Sequence, residues 1–292
     1  MTLKKGLAVH NELPDGYHAL TINSGTVFHT HQPMEMVNFN GYSYQPVYKD
    51  DAYAAKRDWR PLTPQEIQCL KAGRERRDFD TIFLGEIPEQ LQHRFKEMEI
   101  TGCKSRQEVM ECLRENPERT KTLNEALTAY LTPLAGNKPF HFHCLGINFP
   151  NIEMSACDTT GLPANYHPKD VRYMGMHNDG TQEMTLYTAH KFGNRININL
   201  GQEARAFLFV NLSMIQAANL LKKEAGLPAA AINIANIPQL FFKHFPDYPV
   251  IRVKQKPYQY YIAPTDNCFH DGSSLGNTML DISFVYFGSF TC

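Results

Sequence analysis

The chain has 292 residues, 42% of them hydrophobic and 20% charged. That is the composition of a globular protein able to bury a core without disulfide staples, in one large domain or two small ones. Lysines and arginines number 29 against 30 aspartates and glutamates, so the net charge of −1 supplies no global field to collect nucleic acid or anionic lipid.

The N-terminus, Met1 to Gly6, is basic but leads into Asn11, Glu12 and Asp15 without an apolar stretch. No secretory signal is expected there, and the chain is expected to be cytoplasmic. Residues 17 to 48 alternate Tyr, Val, Phe and Thr with polar residues, as in Thr26-Val27-Phe28-His29 and Met36-Val37-Asn38-Phe39, and predict short strands. Residues 62 to 131 predict helices. Thr63-Pro64-Gln65-Glu66 and Ser105-Arg106-Gln107-Glu108 have the form of capping boxes, while Pro88 and Asn116-Pro117 open two further helices. The charge-dense stretch Arg74-Glu75-Arg76-Arg77 reads as a solvated helix face.

From Phe140 onward the pattern returns to strands: 141–145, 171–176, 196–200, 205–211, 250–253, 258–262 and 280–287. One helix, Ser213 to Ala225, is stopped by Gly226-Leu227-Pro228, and with the aromatic stretch around Phe241 it forms an insertion at about 213–248. About seven short strands separated by turns suit an antiparallel sandwich or jelly roll. No repeat or linker divides the chain, so 1–292 is read as a single domain. Apolar runs such as Pro228 to Ala231 continuing through Ile234 fall far short of the roughly 20 residues a bilayer crossing needs. The seven cysteines form no C-x-x-C pair and read as reduced, mostly buried thiols.

Chemistry concentrates in two places. In Gly175-Met176-His177-Asn178-Asp179-Gly180 a strand ends in a turn, and the i, i+2 spacing gives His177 and Asp179 one side of an extended backbone. Far along the chain, Pro264-Thr265-Asp266-Asn267-Cys268-Phe269-His270 puts a second imidazole at a strand end before one last strand. Two imidazoles and one carboxylate hold one face of a divalent iron and leave the other open. No G-x-G-x-x-G, Walker loop, G-x-S-x-G or H-E-x-x-H is present to anchor a nucleotide, hydrolase or zincin reading.

This order of strand, H-x-D, loop, strand pair, late histidine and final strand resembles the Fe(II)/2-oxoglutarate-dependent oxygenases over roughly residues 140 to 290. The resemblance implies a mainly β fold with α, a double-stranded β-helix (jelly roll) core flanked by helices. It implies that His177, Asp179 and His270 bind Fe(II). It further implies that 2-oxoglutarate and O2 are cosubstrates and that oxidative decarboxylation drives hydroxylation or a related C–H oxidation. Asp179 favours hydroxylation over halogenation, since the family's halogenases have a small residue there. Many members carry an arginine about ten residues after the distal histidine, yet here no arginine or lysine follows His270. A buried carboxylate of the cosubstrate still needs a basic partner. The stretch 186–195 is similar to one in the JmjC-type oxygenases, which makes Arg195 the first candidate, Arg205 the second and Lys191 the third.

Tyr173 and Gly175 share the parity of His177, while Asn197 and Asn199 share that of Arg195; these are candidates for the pocket wall and for ligand contacts. Thr265 and Asn267 are candidates to orient substrate, although Pro264-Thr265-Asp266-Asn267 is also a good turn. His29, His31 and Glu35 look like half of a cupin motif with no second half, and His141 and His143 alternate on one strand face as core or pocket-wall residues. The expected substrate is a small polar metabolite such as an amino acid or natural-product intermediate. Nucleic acid and membrane are not expected partners, and a homodimer is possible. The alternatives are an iron oxygenase whose substrate chelates the metal without 2-oxoglutarate, a JmjC-like protein hydroxylase, and a non-catalytic cupin-like binding protein.

Overall fold

The computed structural model describes residues 1–163, 166–180 and 183–292. Eleven strands form its two main sheets: β1 (Ala8–Asn11), β2 (Leu20–Ile22), β3 (Arg60–Pro61), β4 (Thr81–Glu86), β5 (His141–Asn148), β6 (Asn194–Asn199), β7 (Arg205–Ser213), β8 (Ile251–Gln255), β9 (Gln259–Ala263), β10 (Cys268–Ser273) and β11 (Asp281–Gly288). The first sheet has the order β1-β4-β9-β6-β11-β5, and the second β10-β7-β8-β2-β3. Every pairing named here is antiparallel except β1 with β4. Among the described residues six α-helices accompany them: α1 (Pro64–Leu70), α2 (Glu89–Glu97), α3 (Arg106–Glu115), α4 (Pro117–Leu134), α5 (Met214–Lys223) and α6 (Ile237–His244).

Side-chain alternation along the strands decides what meets what. Between the sheets, Ile22, Phe207, Phe209, Ile251 and Val253 of the second pack on Val9, Ile82, Leu84, Tyr261 and Ala263 of the first. Outside the first sheet, Ile196, Ile198, Ile262 and Phe284 receive Leu123, Leu127 and Leu131, which recur every four residues down one face of α4. Outside the second, Leu208, Val210, Leu212 and Phe269 receive Leu221 of α5 and Phe241 and Phe242 of α6. Full burial of each of these large side chains contributes roughly 1.5–3 kcal/mol.

The helix starts follow their sequence signals. Thr63 and Ser213 each complete a capping box, and the Ser105 hydroxyl accepts the amide of Glu108. Gly226, at φ +71, lets the chain turn back after α5.

Three expectations change. Residues 62–131 are not one helical run, because Thr81–Glu86 forms β4, an inner strand of the first sheet with Ile82, Phe83 and Leu84 buried. A continuous apolar run serves a strand covered on both faces, and here it sits between helical signals. Arg74 to Arg77 lie in the loop before β4 rather than on a helix. The expected strand at 171–176 shrinks to Arg172–Tyr173, since Gly175 at φ +70 breaks the extended backbone. Other strands from residue 140 fall within about three residues of the sequence reading, with β10 as an added strand that contains His270 rather than ending at it.

Candidate metal centre

The site is built by a backbone contact between distant segments. His177 N donates to His270 O at 3.2 Å and His270 N donates to His177 O at 2.7 Å, so the turn after Gly175 becomes a neighbour of β10. On its other side β10 pairs with β7, where His270 stands opposite Phe209 and so faces the space between the sheets. The two imidazole rings are 4.6 Å apart, centre to centre.

Backbone carbonyls orient both rings. His177 Nδ1 lies 2.8 Å from Gly175 O and His270 Nδ1 3.4 Å from Cys268 O, which places the N–H on Nδ1 and leaves each Nε2 as a lone-pair donor. The two Nε2 atoms converge on one carboxylate: His177 Nε2 is 3.6 Å from Asp179 Oδ1, and His270 Nε2 is 3.5 Å from Asp179 Oδ2. Asp179 is itself fixed, with its amide donating to Thr265 O at 3.1 Å. One ligand atom from each of the three residues lies within 4.8 Å of the others. Among the described residues this is the one such group of three.

Without a cation the site holds its own charge balance. Burial opposes a proton on His177, but Asp179 as its hydrogen-bond partner and the nearby charge of Asp271 outweigh it and push the imidazole up to about 9. Burial takes His270 the other way, to about 3, with His177 adding to the effect. Asp179 is held well below the usual carboxylate range: burial raises it, and His270, His177 and Arg195 prevail. A divalent cation would therefore meet one carboxylate and one neutral imidazole, and would displace a single proton from the other.

Arg195 closes one flank. Its Nη1 lies 3.3 Å from Asp179 Oδ2 and 3.1 Å from Asp266 Oδ1, and donates to Thr265 Oγ1 at 2.5 Å. The guanidinium also stacks 5.0 Å from the Phe287 ring, while its Nε is buried without a partner among the described residues. Deeper between the sheets, Arg205 Nε is 2.9 Å from Asp281 Oδ1, and its Nη1 donates to Asn197 Oδ1 at 2.8 Å. Arg205 is thus neutralised inside the fold, whereas Lys191 is exposed at the end of the short turn Ala189–Lys191.

The remaining sequence candidates divide. Thr265 belongs to the site, but its contacts go to Asp179 and Arg195. Asn267 caps α5 by accepting Met214 N at 3.3 Å and donates to Phe79 O at 3.0 Å, so both ends of its amide are used structurally. Tyr173 is buried in an apolar cluster with Tyr44 and Tyr48, and lines a separate cavity with Phe149 and Cys157. The positive φ of Gly175 cancels the parity that linked Tyr173 to His177. Gly175 itself is packed against Tyr53 backbone. Asn199 is a turn residue, accepting Gly201 N and donating to Glu203 O and Gln255 O. His141 and His143 are exposed at the edge strand β5 and are not core residues. The cupin-like set also separates: His29 and His31 occupy one short turn, and Glu35 pairs with Arg57.

Sequence reasoning missed three buried carboxylates. Asp266 faces Arg195, and burial together with the charge of Asp179 raises it to about 6. Asp271 Oδ2 lies 3.9 Å from His177 Nδ1, and burial raises this carboxyl to about 6 as well. Asp281 balances Arg205. The clustering of acids around His270, Asp266 before it and Asp271 after it, was the available signal.

A scan against models of protein families matches nothing, and a search of curated proteins likewise matches nothing. Among solved structures the chain is similar to the Kdo hydroxylase KdoO, a non-heme Fe(II) alphaketoglutarate dependent dioxygenase, in complex with cobalt(II). Identity is 12% at a TM-score of 0.35, over 71% of this chain and 80% of that one. The apo structure of the same enzyme matches with 12% identity and a TM-score of 0.36, over 71% of this chain and 79% of that chain.

Proposed function

We propose that the chain is a mononuclear non-haem Fe(II) oxygenase that uses 2-oxoglutarate and O2 to hydroxylate, or otherwise oxidise a C–H bond of, a small polar molecule. One observation carries the reading. Two imidazole Nε2 atoms and one carboxylate, each held by its own backbone contact, converge within 4.8 Å. Two neutral nitrogens and one hard anionic oxygen suit Fe(II) and leave coordination positions for other ligands.

The strand order supports a double-stranded β-helix as the core. Taking the Gly175–His177 segment with β10, the eight elements from β5 to β11 fall in chain order in the first, second, first, second, second, first, second and first sheet. β5, β6, β9 and β11 lie in the first sheet; the His177 segment, β7, β8 and β10 lie in the second. Eight strands in two such sheets is the jelly-roll arrangement.

His177, Asp179 and His270 would hold the iron, which when bound supplies the activation of O2. The chain's own residues do the rest. The carbonyls of Gly175 and Cys268 fix the ring tautomers. Asp179, with both oxygens facing imidazoles, is kept ionised by its surroundings, so it remains a ligand through the ordinary pH range. Arg195 is the residue we assign to the cosubstrate carboxylate: it flanks the ligand set, has an Nε without a partner among the described residues, and rests on Phe287. Arg205 is the weaker candidate because its contacts are Asp281 and Asn197 and not a residue of the ligand set, and Lys191 ranks third.

The test is anaerobic titration of purified protein with Fe(II), then 2-oxoglutarate, following the weak visible charge-transfer band of an iron-chelated keto acid. The reading expects about one Fe(II) per chain, the band, and succinate on admitting air. Asp179→Ala should abolish all three, while Arg195→Met should weaken the band with iron binding retained. Iron binding without the band would replace the 2-oxoglutarate reading by substrate chelation, and no iron binding would end the enzymatic one.

A further inference from the structure

On the far side of the second sheet from the metal ligands lies a cavity of about 570 Å³, within the size range of small-molecule sites. Ala206 and Leu208 of β7 are on its floor. They alternate with Phe207 and Phe209, which face the interior beside His270, so the sheet itself separates cavity and metal centre. Met154, Ala55 and Trp59 form apolar wall, and Arg252 and Lys254 bring positive charge, with His18 beside them.

The lining acids are already occupied. Glu153 accepts Gln32 Nε2 and both Arg57 Nε and Nη2 at 2.7–2.8 Å. Glu203 accepts the amides of Thr278 and Met279 at 2.7 and 2.8 Å. Arg205, which reaches the cavity only at its edge where β7 begins, is taken by its pair with Asp281 between the sheets. The bases are in a different position. Arg252 is half-buried and lines the cavity, with its guanidinium 4.5 Å from the Trp59 ring and its Nε donating to Thr21 Oγ1 at 3.0 Å, two contacts that fix the fork beside the indole. Burial lowers its pKa, and among the described residues no carboxylate forms an ion pair with it.

The geometry points to a second binding site, independent of the oxygenase reading, for a small organic anion. A carboxylate or phosphate monoester would be held by the guanidinium of Arg252 and by Lys254, with the uncharged part of the ligand against Ala206, Leu208 and Met154. A planar fork held against an indole suits two-point recognition of such an anion.

Trp59 is the only tryptophan in the chain, so its fluorescence reports this cavity alone. Metal-free protein would be titrated with citrate and with glucose 6-phosphate, with potassium chloride at matched ionic strength as the control. The inference expects a saturable emission change with at least one of the two anions and none with chloride; the pair separates a carboxylate site from a phosphate site. Lys254→Glu, at an exposed position, should weaken binding by about tenfold or more, the equivalent of about 1.4 kcal/mol. Ala206→Phe, which fills the floor and leaves every charge in place, should abolish it with the melting transition retained. Absence of saturation with both anions, or binding unchanged in both variants, overturns the assignment.

Discussion

Gly175→Ala tests whether one backbone torsion sets the metal site. Gly175 has φ +70, and a Cβ there would lie 2.5 Å from Tyr53 O. The left-handed conformation costs an alanine roughly 1–2 kcal/mol. Tyr53 O is also the acceptor of Met176 N at 2.8 Å. Displacing it loses a hydrogen bond and strands buried groups, for about another 1–3 kcal/mol. The sum is about 2–5 kcal/mol. With an unfolding entropy of about 2.1 cal/mol/K per residue, or about 0.6 kcal/mol/K for the whole chain, the melting temperature should fall by roughly 3–8 °C. Gly175 O is also the acceptor for His177 Nδ1, so the ring loses its orientation, and loss of such a partner typically weakens metal affinity by about 10–100-fold. Thermal melts of the metal-free protein and Fe(II) titration at one pH read the two effects separately. A variant that melts within about 1 °C of the parent and binds Fe(II) equally well would refute the argument.

Other consequences can be measured directly. Asp281→Ala leaves Arg205 as an unpaired buried charge and should cost about 3–5 kcal/mol in denaturant unfolding, whereas Arg205→Met with Asp281→Leu should recover most of that loss. Leu127→Ala opens a cavity between α4 and the first sheet and should cost about 2–5 kcal/mol by the same assay. Glu66 is held at about 2 by Arg60, against burial, and by its capping contacts with Thr63. Its folded pKa lies below the unfolded one, so its contribution is present above about pH 4.5 and lost as pH falls toward 2. Glu66→Gln should therefore cost about 1–2 kcal/mol at pH 7, allowing for solvent screening, and nearly nothing at pH 2. Melts across that interval check the convergence.

The sequence made the chemistry more legible than the architecture. His177, Asp179 and His270 stood out because their residue types are specific and the spacing of the first two matches an extended backbone; the fold brings all three together. The caps at Thr63 and Ser105 were readable because a side-chain hydrogen bond to a backbone amide is a local event. β4 was not, since Thr81-Ile82-Phe83-Leu84-Gly85 is helix or strand until one knows that α2 and α4 cover one side and the second sheet the other. Tyr173 was misplaced for a related reason: parity holds only while the backbone stays extended, and Gly175 gives no warning of its φ in the sequence. The buried acids Asp266, Asp271 and Asp281 acquire meaning only through partners far along the chain, Arg195, His177 and Arg205.

The position of β11 bears on how the molecule is made. This strand, Asp281–Gly288, comes after both of its neighbours in the chain, yet it lies inside the first sheet between β5 and β6. Until it is synthesised, β5 and β6 each present an open edge toward the gap it will fill, and open edges recruit foreign strands. Domains usually begin folding from the N-terminus during synthesis. Here the nascent chain has to keep two edges apart until Asp281–Gly288 is made, so the vulnerable interval for aggregation lasts from the synthesis of β5 until β11 closes the sheet.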